Sequence, residues 1–223
     1  MSNLPEGRRP CAIIHFSKLE RGRFLSHLDL ARVMDRAVRR AKLPVAYTEG
    51  FHPHAEISFG PPLPLGVEGL REPCCLNLAH VPALEDMTRS LSRQLPGCLP
   101  LVDAEITHRG RRSPLADYQW AGWEFTLADP EEAALVADAA TRFLAEPEWL
   151  RERQTKSQLT TINLRAGVGE LAIRDDATLL AQLSVNPDCL AKPEEILQVL
   201  AEIAGLPKLR VQRTVRSYLR LND

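Results

Sequence analysis

The stretch 11-CAIIHFSKLERGRFLSHLDLARVMDRAVRRAKLP-44 decides the fold, because it passes from a strand pattern through a turn into a helix pattern. Cys11–Ser17 is a short apolar run suited to a strand. The segment 18-KLERGR-23 is a charged turn. Ser26 can then cap a helix, with Asp29 three residues on in the capping-box position, where its charge also suits the helix dipole. Leu30, Val33, Met34, Ala37, Val38 and Ala41 recur at i, i+3, i+4 spacing and form its buried stripe. Arg32, Arg36, Arg39 and Arg40 form an opposing basic ridge, and Pro44 lies just past the end.

Outward from that stretch, Glu56–Phe59 and Cys74–His80 read as strands. Ala83–Leu95 reads as a helix, with Leu84, Met87, Leu91 and Leu95 at 3–4 residue spacing, and Leu101–His108 alternates as a strand. The order over residues 11–108 is β-α-β-β-α-β. The polar stretch 109-RGRRSPLADYQ-119 reads as a linker. Beyond it the order repeats: strand Trp120–Leu127, helix Pro130–Ala145, strands Leu159–Leu164 and Thr178–Val185, helix Pro193–Ala204 and a last strand Lys208–Leu219. A further short strand falls near Gly169–Ile173. The expected fold is therefore α+β: two consecutive ferredoxin-like (β-α-β-β-α-β) domains with antiparallel sheets. Their bounds are 1–110 and 120–223, joined by a linker over 111–119.

Composition fits that size. Of the 223 residues, 44% are hydrophobic and 26% charged, enough for one large domain or two small ones. No apolar run approaches the roughly 18 residues of a membrane helix. MSNLPEGRRPCAII lacks the apolar core of a secretory signal, so a cytoplasmic location and no membrane partner are expected. The five cysteines, Cys11, Cys74, Cys75, Cys98 and Cys189, form no C-x-x-C pair and read as reduced, buried thiols. Net charge is −1, yet residues 8–42 hold ten Lys/Arg against three Asp/Glu, a local net of +7. Such asymmetry points to an anionic partner on one face.

Three groups of residues carry candidate chemistry. Ser26, His27, Arg32 and Arg36, with Arg23 just before them, could hold a phosphate or carboxylate at the first helix's N-terminus. The dipole there favours a neutral His27, which suits a hydrogen-bond donor or a general base. An equally weighted alternative leaves His27 as a surface residue with no partner. His52 and His54, in 50-GFHPHAEISFGPPLPLG-66, form an H-x-H pair of the kind that binds zinc or iron, with Glu49 and Glu56 nearest in sequence. The plainer reading makes them turn histidines bonded to backbone carbonyls. On the last strand, Lys208, Arg210, Gln212, Thr214, Arg216, Tyr218 and Arg220 share one face, fit for phosphate contact, while Arg213 intrudes among the apolar residues opposite. Trp120, Trp123 and Trp149 read as core packing.

The segments RFLSHLDLARVMDRAVRRAKLPVAYTEGFHPHAEISFGPPLPLGVEG and KPEEILQVL…LRVQRTVRSYL together resemble the radical SAM-linked protein family. The order FLSHLDL, EGFHPH, ISF, PLPLGVE carries the resemblance most strongly, over residues 21–69. Pro53 and His54 match, whereas the family usually has Asn at the position of His52. The resemblance implies a small domain encoded beside, or fused to, a radical S-adenosylmethionine enzyme. This chain has no C-x3-C-x2-C cluster, so such chemistry would belong to that partner, and no cofactor is expected here.

The leading expectation is an accessory module that binds a substrate, RNA or another anionic polymer, with Arg23, Ser26, His27, Arg32, Arg36, His54, Arg210 and Arg216 as binding residues. One alternative is a metal-independent RNA endonuclease with His27 as its acid or base. That reading rests on a likeness in fold to CRISPR repeat-processing enzymes. Those enzymes usually carry a glycine-rich loop, where 205-GLPKLRVQRTVRSYL-219 has one glycine. The other alternative is a protein–protein scaffold docking through Pro61–Leu65.

Overall fold

The structure is a computed structural model that describes residues 9–109, 113–154, 158–174 and 176–221. The N-terminal residues 1–8 and residues 110–112 of the expected linker lie outside the described residues. The protein is a mixed α/β structure with antiparallel strand pairing and four α-helices among the described residues. The chain divides into two compact units, Met1–Asp117 and Tyr118–Asp223.

In the first unit the elements run β1 (Arg9–Lys18), α1 (His27–Arg40), β2 (Ile57–Phe59), β3 (Glu68–Asn77), α2 (Leu84–Ser92) and β4 (Leu101–Arg109). Their sheet order is β4-β1-β3-β2. β1 is antiparallel to both neighbours, with Ile14 opposite Cys74 on β3 and opposite Ala104 on β4. Alternate residues of β1, Ala12, Ile14 and Phe16, join Leu30, Met34 and Val38 of α1 and Met87 and Leu91 of α2 in one core. Each fully buried Leu or Ile contributes about 1.5–3 kcal/mol. Helix α1 forms where the sequence predicts it. The Ser26 hydroxyl accepts the Asp29 N–H at 3.1 Å, and Lys42, with φ 53°, ends the run two residues before Pro44.

Strand β3 starts at Glu68, earlier than the expected Cys74. Pro73 takes its place in this strand: its carbonyl accepts from Gly60, and it pairs with His15 on β1.

The second unit runs β5 (Tyr118–Leu127), α3 (Ala133–Ala145), β6 (Leu150–Gln154), β7 (Leu159–Asn163), β8 (Val168–Arg174), β9 (Thr178–Ser184), α4 (Pro193–Ala204) and β10 (Val211–Leu221). A 3-10 turn over Pro114–Asp117 and the start of β5 fall within the stretch read as linker. The sheet order is β10-β5-β9-β8, and β6 and β7 pair separately as a hairpin. This corrects the strand assignment. Leu159–Asn163 belongs to the hairpin, and the stretch read as an extra short strand, near Gly169–Ile173, is the strand that pairs with β9. Val136, Ala139 and Phe143 of α3 are buried, as are Ile196, Val199 and Leu200 of α4. Gly205, with φ 71°, closes α4 in the left-handed conformation that glycine adopts without a Cβ penalty.

The expected face pattern of the last strand is also corrected. Register shifts between Val211 and Arg213 and between Arg216 and Tyr218 mark bulges in β10. One inserted residue moves the following side chains to the other face. Arg216 is thus only 2% exposed, with its guanidinium 5.8 Å from the Trp123 ring centroid, while Arg213 is exposed. Arg216 is therefore not part of an open basic face. Trp123 is buried, and Trp149 packs 5.5 Å from Phe143.

Candidate functional site

Between β1 and α1 the chain makes a tight 3-10 turn, Glu20–Phe24. Gly22 sits so close to the Cys98 carbonyl that a Cβ would stand 2.8 Å from its oxygen, so the turn requires glycine. Glu20 adopts a left-handed φ of 48°, and its N–H donates to the Glu68 carboxylate at 2.8 Å. The same carboxylate lies 3.9 Å from Arg23. Gly66, with φ 83°, turns the proline-rich segment back so that its N–H donates to the Arg23 carbonyl at 2.8 Å. Segments of FLSHLDL, ISF and PLPLGVE are thereby brought to one end of the first unit.

At this end the His27 ring meets the Phe59 ring edge-on, with centroids 5.4 Å apart. Behind them lies a small cavity lined by Phe16, Lys18, His27, Phe59, Pro61 and Glu72, among others. Its volume is about 20 Å³, room for about one water. Lys18, Glu68 and Glu72 are buried. The sequence reading missed all three. Lys18 and Glu72 were absorbed into a charged turn and an inter-strand stretch, and Glu68 passed as the end of a motif. The available signal was a charge abutting an apolar strand end.

The anion-binding reading of the helix N-terminus meets a competitor inside the chain. The Ser26 hydroxyl donates to the Asp29 carboxylate at 2.7 Å and accepts its amide. That hydroxyl, aided by Arg32, holds the Asp29 carboxyl below its ordinary range against the opposing cost of desolvation. Ser26 is therefore already occupied by an anion of the helix itself. The guanidiniums outside it are less committed. Arg32 meets Asp29 at 3.3 Å across exposed side chains, a pairing worth little in water. Arg36 donates to the Arg32 carbonyl and makes no ion pair among the described residues. Arg39 is held by Asp35, and Arg40 by the Gln94 carbonyl. Arg23 stacks over the Phe24 ring at 4.8 Å.

Exposed apolar side chains stand beside these cations. Phe24 is 60% exposed, and Leu28 and Leu65 are each 67% exposed. Arg23, Ser26, His27 and Arg32 thus share the N-terminal half of α1 and the turn before it, and Arg36 stands one turn further along the helix.

His52 and His54 lie in a separate exposed turn, closed by the Thr48 hydroxyl accepting the His54 N–H at 3.0 Å. Glu56 is engaged by Asn77 at 2.6 Å. Among the described residues, no group of three or more His, Cys, Asp or Glu side chains comes together as a metal site. Arg210 belongs to the second unit, where it lies 3.9 Å from Asp129. None of the five cysteines is in a disulfide, and burial pushes the Cys74 thiol far up, which makes it a poor nucleophile.

The chain belongs to a bacterial family. The family described as "Uncharacterized protein conserved in bacteria (DUF2344)" matches residues 12–195. That span takes in every residue of the turn, the first half of α1 and the proline-rich corner. The description names neither an activity nor a partner. No curated protein matches the chain.

Proposed function

We propose that the chain is an accessory binding module that holds RNA for a radical SAM enzyme partner. One observation carries the RNA half of this reading: half-buried Arg23 lies over the exposed Phe24 ring, and exposed Arg32 and Arg36 follow on α1. Arginine beside an aromatic ring offers both phosphate contact and base stacking. The resemblance of FLSHLDL, EGFHPH and PLPLGVE to radical SAM-linked proteins supports the enzyme partner. A ferredoxin-like fold for each unit is part of the proposal. It is supported by the strand orders β4-β1-β3-β2 and β10-β5-β9-β8, which match the split β-α-β arrangement, the β6–β7 hairpin being an insertion in the second. A cytoplasmic location is supported by five cysteines outside any disulfide and by the lack, among the described residues, of a helix long and apolar enough to cross a membrane.

The test is purification of tagged protein from its host, followed by mass spectrometry and RNA sequencing of what comes with it. Recovery of a radical SAM enzyme with a defined RNA class is the expected result. Neither being recovered, together with no salt-dependent RNA binding by the pure protein, overturns the reading.

A scaffold reading has its own observation. Leu65, in the proline-rich corner, is 67% exposed and not packed into the core. Leu65→Asp would then abolish capture of the enzyme without changing RNA affinity.

A further inference from the structure

We infer that the surface at the start of α1 takes unpaired, single-stranded RNA and stacks a base on the open face of Phe24. The inference rests on the RNA reading above and specifies which form of RNA the site accepts.

The concavity at this end of the first unit is too small to admit a ligand group. The cavity behind His27 has a volume of about 20 Å³, which leaves room for about one water and not for a peptide side chain or a flipped base. Recognition here must therefore happen on the outer surface. That surface has a ring, Phe24, exposed over 60% of its area. One face of the ring is covered by the Arg23 guanidinium at 4.8 Å. The guanidinium lies 3.9 Å from the Glu68 carboxylate, and Glu68 is itself buried and bonded to the Glu20 amide. The ring is thus backed by a cation that has a buried carboxylate beside it, which favours stacking on its other face.

After the turn that holds Phe24, a stripe of side chains runs along α1. Leu28, Arg32 and Arg36 are spaced four residues apart and lie on one face of the helix. Leu28 is exposed and apolar. Arg32 holds only an exposed ion pair to Asp29, which a phosphate can displace, and Arg36 has no ion pair among the described residues. Leu65, beside the Gly66 amide that bonds the Arg23 carbonyl, is exposed as well. A ring in the turn before α1, with an apolar side chain and two cations aligned on the helix that follows, suits a strand whose base is splayed out and whose phosphates run on along the helix. A duplex keeps its base faces inside the stack and offers the ring nothing. An acidic peptide would use the cations but would leave Phe24 without a flat partner.

The test is a titration of the full chain with a labelled uridine homopolymer, and separately with a fully paired RNA hairpin, at several salt concentrations. The wild type, Phe24→Ala, Phe24→Trp and Arg36→Ala are compared. Phe24 is exposed, so these substitutions leave the core intact, and circular dichroism checks this. The expected result is tighter binding of the single strand, a loss of about tenfold for Phe24→Ala and recovery with Phe24→Trp. Arg36→Ala should lower the salt slope by about 0.7. Equal binding of hairpin and single strand, or indifference to Phe24→Ala, overturns this inference and leaves the RNA reading standing. Competition by polyglutamate as effective as by RNA overturns it in favour of an acidic protein partner. Absence of binding to either RNA overturns both.

Discussion

The Gly66 amide donates to the Arg23 carbonyl at 2.8 Å, joining the proline-rich corner to the turn that precedes α1. Two residues more than forty positions apart in the chain are thereby joined. Gly66 holds φ 83°, which a residue with a Cβ adopts only under strain. Gly66→Ala is expected to destabilise the protein by about 1 kcal/mol or more and to weaken RNA binding with it. Thermal denaturation and an RNA titration check this. An unchanged melting temperature would mean the corner tolerates another path.

His15 and Arg71 both bond the Asp103 carboxylate, His15 through Nδ1 at 2.7 Å. Burial opposes ionisation of Asp103, but the hydrogen bonds from Arg71 and His15 overturn it and hold the carboxyl below its usual range. A depressed carboxylate stabilises the fold fully above its unfolded pKa of about 3.9. That contribution is lost as pH falls through the lower folded value. Asp103→Asn should therefore cost stability at neutral pH, with the gap to wild type closing on acidification. Urea unfolding at a series of pH values measures it. A gap that stays constant would assign the loss to packing alone.

On β5, a Cβ at Gly122 would stand 2.1 Å from the Tyr218 ring, whose hydroxyl accepts from Gln182 Nε2 at 3.2 Å. Gly122→Ala forces the ring to move and should cost about 1–3 kcal/mol. Combining it with Tyr218→Ala should recover part of that loss, a coupling that a double-mutant cycle reads directly. Additive losses would show that the ring does not depend on the missing Cβ.

Arg153 ties the β6–β7 hairpin to α4. Its guanidinium bonds both Glu195 oxygens and the Leu190 carbonyl. Glu195 Oε2 also accepts the Lys192 amide at the start of α4, at 3.2 Å. Arg153→Ala should raise amide exchange in Leu150–Gln154 and in the first turn of α4 together, while leaving the first unit unchanged. Faster exchange in the hairpin alone would show the two elements to be independent.

The sequence made much of the fold legible where period and capping agree. Ser26, Asp29 and the stripe from Leu30 to Val38 set α1 to within a residue or two, and Gly205 marked the end of α4. Misreadings arose where tertiary context overrides local signals. The strand expected to start at Cys74 begins at Glu68, and its pairing with β1 carries it through Gly69 and Pro73. Leu159–Asn163 and Val168–Arg174 both look like strands, and only pairing reveals which one extends the sheet. On β10 alternation predicted an open Arg216, but bulges that no periodicity announces bury it. At the candidate site, Arg23, His27, Arg32 and Arg36 were readable from their place at the helix start. The buried Lys18, Glu68 and Glu72 were not, because a charge in sequence does not say which face of a turn will cover it.

Photocrosslinking of 4-thiouridine RNA to the full chain, with the adducts located by mass spectrometry, tests the central claim most directly. Adducts on the peptide spanning Phe24–Arg36 are predicted, lost in Phe24→Ala. Adducts confined to the second unit, or bound RNA that never crosslinks near α1, would contradict it.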